Sequence, residues 1–327
     1  MKLPAWNRRI MGWLIFVGIM CVIPQVIPPG FVRICVFANY LAVFAMSWDI
    51  LSGYTGYASF GHNFIIGIAA YGSAILSDRF GFPLYASMPI GIGVGLGAGM
   101  LFFLPGLRLR GNYFCLVTIA LLIIAHHLVV AVRPDITGGT KGIIGLEAFV
   151  TGAIPHYYIS LAIMAVAAIV LWRITKSDLG SIFHAIRMDE DIVSTAGLNT
   201  FKYKLIAFIL SALVGSIGGV FYIHFLGAIT PDTVFSIDFL LTIIIATLIG
   251  GQQSIIGPII GAYFLTFLLE YLRIFDALAG PQRFLIYSAI ALVLYMRKSS
   301  GIFGIIQNVI QLYKRKRGGG EEYAKIT

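Results

Sequence analysis

Apolar runs recur along the chain near residues 12–28, 31–51, 62–77, 84–104, 112–132, 157–173, 205–226, 237–250, 257–272 and 284–297. Each is about long enough to cross a hydrocarbon core of roughly 30 Å, upright or tilted. The pattern predicts an all-α, polytopic transmembrane helical bundle of about ten spans. One long polar stretch, 176–204, interrupts it. Within that stretch Leu179, Ile182, Phe183 and Ile186 follow the i, i+3, i+4, i+7 spacing of a single helical stripe, with Ser177 or Asp178 at the cap. A second short helix is expected where Asp189 caps, Glu190 and Asp191 fill the first turn, Ile192, Val193 and Ala196 share a face, and Gly197 supplies a left-handed stop. Two short helices thus hang between spans, either as a solvated loop on the membrane surface or as a docking element for a partner.

Charge placement tests the span count independently, because cytoplasmic loops hold the excess of Lys and Arg. With the N-terminus inside, ten spans leave only Arg33, Arg79, Arg133, Lys141, Arg273 and Arg283 of the 23 basic residues outside. Both termini and the polar interruption are therefore expected to be cytoplasmic. The organisation read from this is one transmembrane domain over 1–300, carrying a cytoplasmic loop at 175–204, and a basic cytoplasmic tail over 301–327. A hydrophobic content of 59 %, only 11 % charged residues and a mean hydropathy of +0.91 exclude a soluble domain. The net charge of +9 is accounted for by membrane topology and calls for no nucleic acid. The opening apolar run imitates a signal peptide but lacks a small-x-small cleavage site, so it is read as an uncleaved first span. Cys21, Cys35 and Cys115 lie in apolar runs at unrelated spacings and read as packing residues.

Candidate chemistry is sparse. Between the second and third runs, Asp49, Gly53, Thr55, Ser59, Gly61, His62 and Asn63 form a Gly- and hydroxyl-rich passage. Non-helical backbone at membrane depth is tolerated only where protein or a water-filled cavity satisfies it, and intramembrane Asp and His often mark a transport path. The alternative is that Asp49 meets the interface and His62 caps the next span. Gly91, Gly93, Gly95, Gly97 and Gly99 flatten two faces of the fourth span and predict close helix crossing, as do Gly215, Gly218 and Gly219 in the seventh. His126 and His127, being adjacent, point about 100° apart and cannot share a metal as an i, i+4 pair does. Glu270, Arg273, Asp276 and Arg283 gather at an outer face, either solvated or meeting a protein. No Walker pattern, HExxH, paired carboxylates or nucleophile–base set occurs, which argues against an enzyme.

The order Gly180, Ala185, Ile186, Arg187, Asp189, Glu190, Ala196, Gly197, Asn199, Lys202, Tyr203, Lys204 resembles the coupling loop of LivM-type permeases, the branched-chain amino acid branch of the ABC importers. Three further blocks are similar to that family: GYTGYASFGHN at 53–63, LRLRG with the following YF and Thr118, and GGQQSIIGPIIGA at 250–262, where Gln253 replaces a customary Gly. The TGGTKG loop at 137–142 resembles the family as well. The resemblance implies a permease subunit in a prokaryotic cytoplasmic (inner) membrane, moving a small polar solute, most naturally a branched-chain amino acid. Its implied partners are a second, LivH-like permease, two cytoplasmic ATPases and an extracytoplasmic binding protein. No cofactor is expected on this chain, since ATP and Mg would sit on the ATPases. The residues expected to couple to the ATPase are Leu179, Gly180, Ile182, Phe183, Ala185, Ile186, Arg187, Glu190, Asp191 and Gly197, with Arg187 and Glu190 setting register by polar pairing. Those expected on the translocation path are Asp49, Thr55, Ser59, Gly61, His62, Asn63 and Thr118. Urea, short amides or a sugar remain alternative cargoes, and an ion-coupled carrier or channel built on Asp49 and His62 is the alternative class.

Overall fold

A computed structural model describes residues 24–109 and 112–274, with positions 18, 20–22, 289, 301, 302 and 304. Residues 12–17, 19 and 23 of the first expected span, all but one residue of the tenth, the basic run at 314–317 and the outer residues Asp276 and Arg283 lie outside the described residues. Helices occupy the other eight expected spans: α1 Pro29–Trp48, α2 His62–Asp78, α3 Leu84–Phe103, α4 Asn112–Ala131, α5 Ala153–Thr175, then, after the polar hairpin, α8 Thr200–Leu226, α9 Ile237–Gly250 and α10 Ile256–Ile274. The hairpin itself supplies α6, Asp178–Met188, and α7, Glu190–Thr195. Among the described residues, six stretches are long and apolar enough to cross a membrane, from Pro29–Gly53 to Pro231–Gly250.

α1 is the central post. Its sequence is apolar on every side, which suits a helix surrounded by protein, and residues such as Val36, Ala42, Val43 and Ala45 are fully buried. α5, α8, α9 and α10 pack around it. Polar side chains join the layers: Asn39 donates to Ser160 at 2.9 Å, and the Tyr263 hydroxyl donates to the Asn39 carbonyl oxygen, so that α1, α5 and α10 share one bonded set. Phe44 meets both Tyr222 and Phe239 edge-on, at 5.7 and 5.5 Å between ring centroids.

The glycines act on one face of α3, not two. A Cβ on Gly91 would come within 2.8 Å of the Ala69 carbonyl, and one on Gly95 within 2.9 Å of Ser216 Oγ, so α3 lies directly on α2 and α8. Gly93 and Gly97 face open space. In α8, Gly218 lies against Phe44 and Gly219 against the Ile66 carbonyl, a second close crossing.

One feature departs from an all-helical reading. Ile143–Ile144 (β1) pairs antiparallel with Ala228–Ile229 (β2), Ile143 opposite Ile229. The two loops meet at the end of the bundle away from the hairpin, and the ladder satisfies backbone groups that neither loop provides for alone. No apolar run marks a strand of two residues, so periodicity gives no sign of it.

Candidate functional site

α1 ends in a widened turn. Asp49–Gly53 forms one turn of π-helix, the chain continues through Tyr54 and Thr55, and irregular backbone then leads to His62 at the start of α2. A Cβ on Gly53 would collide with the Asp49 carboxylate, which folds back over the turn. The Asp49 Oδ1 atom accepts from the Gln253 backbone N–H at 3.2 Å. Ser59 N donates to Ser52 Oγ at 3.0 Å, Trp48 Nε1 to the Ser59 carbonyl at 2.8 Å, Phe60 N to Thr118 Oγ1 at 3.0 Å, and Thr55 Oγ1 to the Leu51 carbonyl at 2.6 Å. Ser47 Oγ and His62 Nε2 are 2.7 Å apart, and Asn63 Nδ2 donates to the Ser236 carbonyl at 3.2 Å. Gly61 lies so close to the Thr118 carbonyl that any side chain there would displace it.

The seven residues expected on a path are thus brought together in the bundle's interior. Asp49, Thr55, Ser59, His62, Asn63 and Thr118 are each at most 1 % exposed. They form a packed polar belt that runs from the hairpin end, at Thr55 and Ser59, into the bundle, where His62 lies beside Gly215 of α8. Among the described residues, Asp49 Oδ2, Ser59 Oγ, His62 Nδ1 and Asn63 Oδ1 have no hydrogen-bond partner, the kind of buried group that bonds ordered water.

Gln253 keeps the turn that a glycine would make easily. It adopts φ +61°, a left-handed backbone that L-residues rarely take, and in doing so aims its N–H at Asp49. Gln253 thus holds a backbone conformation that glycine adopts freely, with local strain.

The hairpin forms as its sequence dictates, with two differences. Asp189 caps α7, accepting from Asp191 N at 2.9 Å and Ile192 N at 3.0 Å, and Gly197 turns the chain at φ +85°. Ser177 precedes α6 but does not cap it; its hydroxyl donates back to the Ile174 carbonyl at 2.7 Å. The larger difference concerns the apolar stripe. Phe183 and Ile186 are buried within this chain, while Leu179, Ile182 and Ala185 pack half-buried against the same core. Gly180 abuts the Thr175 backbone. Phe183 and Ile186 thus seat the hairpin on its own bundle, while Leu179, Ile182 and Ala185 keep part of their surface outside.

Arg187 and Glu190 are likewise used internally. Arg187 Nη1 donates to the carbonyl oxygens of Gly53 and, at 3.3 Å, Ser52, the last carbonyls of the π turn. Its Cγ lies 3.2 Å from where a Gly56 Cβ would stand. Glu190 Oε1 pairs with Lys204 Nζ at 2.8 Å and accepts from Thr200 Oγ1 at 3.0 Å. Its other oxygen accepts from the Tyr57 hydroxyl, and Lys204 Nζ in turn donates to Tyr57 at 2.9 Å and sits 4.3 Å from that ring's centroid. Burial pushes the Glu190 carboxyl up, but the hydrogen bonds from Lys204 and Tyr57, with the Lys204 charge, more than offset it and hold the group below the usual carboxylate range. Both anchors grip the belt-forming segment, so the hairpin and the belt are parts of one connected device.

On the exposed edge of the hairpin lie Asp191 and Gly197, expected from the sequence as coupling residues, and three apolar side chains outside that expected set. Met188 is 77 % exposed, Ile192 66 % and Leu198 37 %, flanked by the exposed acids Asp189 and Asp191 and by Gly197. The i, i+4 spacing of Met188 and Ile192 was the available signal; the stronger stripe next to it masked it.

At the opposite end of α1 the bundle opens. A cleft of about 850 Å³ is lined by Arg33, Phe37, Phe44, Tyr222, Phe239 and Glu270 among others. Phe44, Tyr222 and Phe239 form its floor, the last two stacked at 8°. Glu270 therefore belongs with Arg33 in a cleft. The side chain of Arg273 is outside the described residues.

His126 approaches Asp232 at 2.9 Å, whereas the His127 ring faces its own helix at the Ile123 carbonyl, 3.0 Å away. The two histidines serve different partners, and no group of three potential metal ligands occurs among the described residues.

Three relatives resemble the chain, two of them over most of its length. It is 26 % identical to the high-affinity branched-chain amino acid transport system permease protein LivM of Escherichia coli, over 84 % of this chain and 72 % of that one. It is 24 % identical to a branched-chain amino acid transport permease protein, LivH, of Methanocaldococcus jannaschii, over 80 % and 86 %. The ribose import permease protein RbsC of Haemophilus influenzae matches at 24 % over a shorter stretch, 44 % and 46 %. The pattern of the family described as branched-chain amino acid transport system / permease component matches residues 30–296. This multi-pass membrane chain, with its polar hairpin wired into a buried belt, belongs to that permease family.

Proposed function

We propose that the chain is the membrane-spanning permease subunit of a prokaryotic inner-membrane importer that carries branched-chain amino acids. It pairs with a second permease of LivH type, receives solute from an extracytoplasmic binding protein, and is driven by two cytoplasmic ATPases that hold the ATP and Mg. Ten spans with both termini and the hairpin inside accord with the segregation of Lys and Arg.

The observation that carries this reading is the direct connection from hairpin to belt. An ATPase pair that closes on nucleotide moves the hairpin through its exposed edge of Met188, Ile192 and Leu198. Arg187 holds the carbonyls of Ser52 and Gly53, so displacement of α6 pulls on the π turn. Single π turns are frequent at functional positions because the widened ladder re-forms easily. The four unpartnered polar atoms of the belt supply the second condition for switching. Such atoms take water as a partner when the belt parts, so the open arrangement loses little hydrogen bonding relative to the closed one.

Reconstitution of this chain with the sister permease, ATPases and binding protein encoded beside it tests the reading. ATP-dependent accumulation of leucine in proteoliposomes is the expected result. Uptake by this chain alone that tracks an ion gradient contradicts it and favours the carrier class; ATP-driven uptake of ribose but not leucine shifts the cargo to a sugar.

A further inference from the structure

The cleft at the end of α1 away from the hairpin combines three properties. A guanidinium, Arg33, and a carboxylate, Glu270, stand on different helices, α1 and α10, and line the same space. Below them the walls are aromatic and aliphatic: Phe37 and Leu41 on α1, then the floor of Phe44, Tyr222 and Phe239. Thr242 and Thr266 add hydroxyls to the lining. Arg33 is already oriented by the Phe225 ring, 5.9 Å from its guanidinium carbon.

We propose that this cleft receives the transported solute, an α-amino acid with an aliphatic side chain, its carboxylate on Arg33 and its ammonium on Glu270. The inference rests on the reading above that the chain is an amino-acid permease, and adds where and by which groups the solute is held. A zwitterion needs one cationic and one anionic partner at once, and a branched side chain needs an apolar wall beside them. A guanidinium offers a carboxylate two parallel N–H donors, while the aromatic floor accepts the aliphatic portion and excludes water. Urea has no charge for either group, and ribose makes no use of the pair.

The cleft is far roomier than one leucine. That suits a passage: a site that holds its solute loosely takes it up and releases it, whereas a tight one only stores it. The aromatic floor separates the cleft from the polar belt. Ser47 lies one helical turn beyond Phe44 on α1 and bonds His62 of the belt. A solute resting on the floor is therefore adjacent to the barrier that the hairpin controls.

The test uses the complete importer in proteoliposomes with saturating leucine-loaded binding protein, so that delivery is not limiting. Arg33→Gln and Glu270→Gln are each expected to lower leucine uptake about tenfold or more, the loss of one charge-assisted hydrogen bond, while binding-protein-stimulated ATP hydrolysis persists and reports an intact assembly. Arg33→Lys, which keeps the charge but loses the fork, falls between. A Thr242→Cys chain with Cys21, Cys35 and Cys115 changed to Ser provides the direct reading: leucine slows its reaction with a methanethiosulfonate reagent, and isovalerate, which lacks the ammonium, does not. Wild-type uptake rates in both charge variants, or labelling of Thr242→Cys that leucine leaves unchanged, overturns the proposal and leaves Arg33 an interfacial anchor. Loss of stimulated hydrolysis together with uptake also counts against it, placing the two charges in docking. A wild-type complex that moves ribose and no leucine sinks the functional reading first, and this ligand with it.

Discussion

Arg187, on the hairpin helix α6, donates to the main-chain oxygen of Gly53, in the π turn that ends α1. A guanidinium spent on backbone carbonyls is rigid and directional, so motion of one element is felt by the other. Arg187→Ala is expected to leave the permease in the membrane but to cut solute moved per ATP hydrolysed about tenfold or more, the worth of a charged hydrogen bond. Paired measurements of uptake and hydrolysis in proteoliposomes check it; an unchanged ratio contradicts it.

The second anchor carries a pH dependence. Glu190 is held below the usual carboxylate range against the opposing effect of burial. Its contribution to stability is therefore fully present above the ordinary range and is lost as pH falls through the depressed folded value. Breaking this largely buried pair by Glu190→Gln is expected to cost about 3 kcal/mol at neutral pH and to flatten the acid limb of thermal stability. Unfolding curves of the purified protein from about pH 7 down to about pH 3 reveal both effects.

At Gln253 the prediction is a gain. Its left-handed backbone costs a residue with a side chain about 1 kcal/mol. Gln253→Gly should relieve that strain while keeping the N–H that Asp49 accepts, raising the midpoint of thermal unfolding. A lower midpoint would show that the Gln side chain contributes more than its backbone costs.

How much of this was legible follows from what each residue signals. Apolar runs located eight described helices, because a helix that crosses the hydrocarbon core needs a predominantly apolar stretch of about 20 residues. Asp189 and Gly197 marked the bounds of α7 by side-chain chemistry that acts within a few residues. The stripe of Leu179, Ile182, Phe183 and Ile186 showed that α6 buries a face, but periodicity cannot say whether the chain itself or a partner covers it. For Phe183 and Ile186 the chain does. Arg187 and Glu190 were visible as charges in a polar loop, while their partners, Gly53 and Tyr57, lie more than a hundred residues earlier. The cleft was invisible for the same reason: Arg33 and Glu270 begin one described helix and nearly end the last, and only packing brings them together. Dense Gly and Ser around Asp49 did mark irregular backbone, yet whether such a segment lines water or closes it off depends on neighbours the local sequence does not name.

The two faces of the hairpin separate experimentally. Phe183→Ala, at a fully buried position, is expected to destabilise the permease by about 3–5 kcal/mol. Met188→Ala, at an exposed one, should change stability by no more than about 0.5 kcal/mol. Melting temperatures of the isolated permease distinguish them.

Cysteine crosslinking in the assembled importer examines the coupling directly. Met188→Cys is expected to join to the ATPase subunit with a short bifunctional thiol reagent, and Phe183→Cys to remain unreacted. A Met188→Cys chain that is labelled from the outer side of sealed cells, or that never joins the ATPase while Phe183→Cys does, contradicts the account.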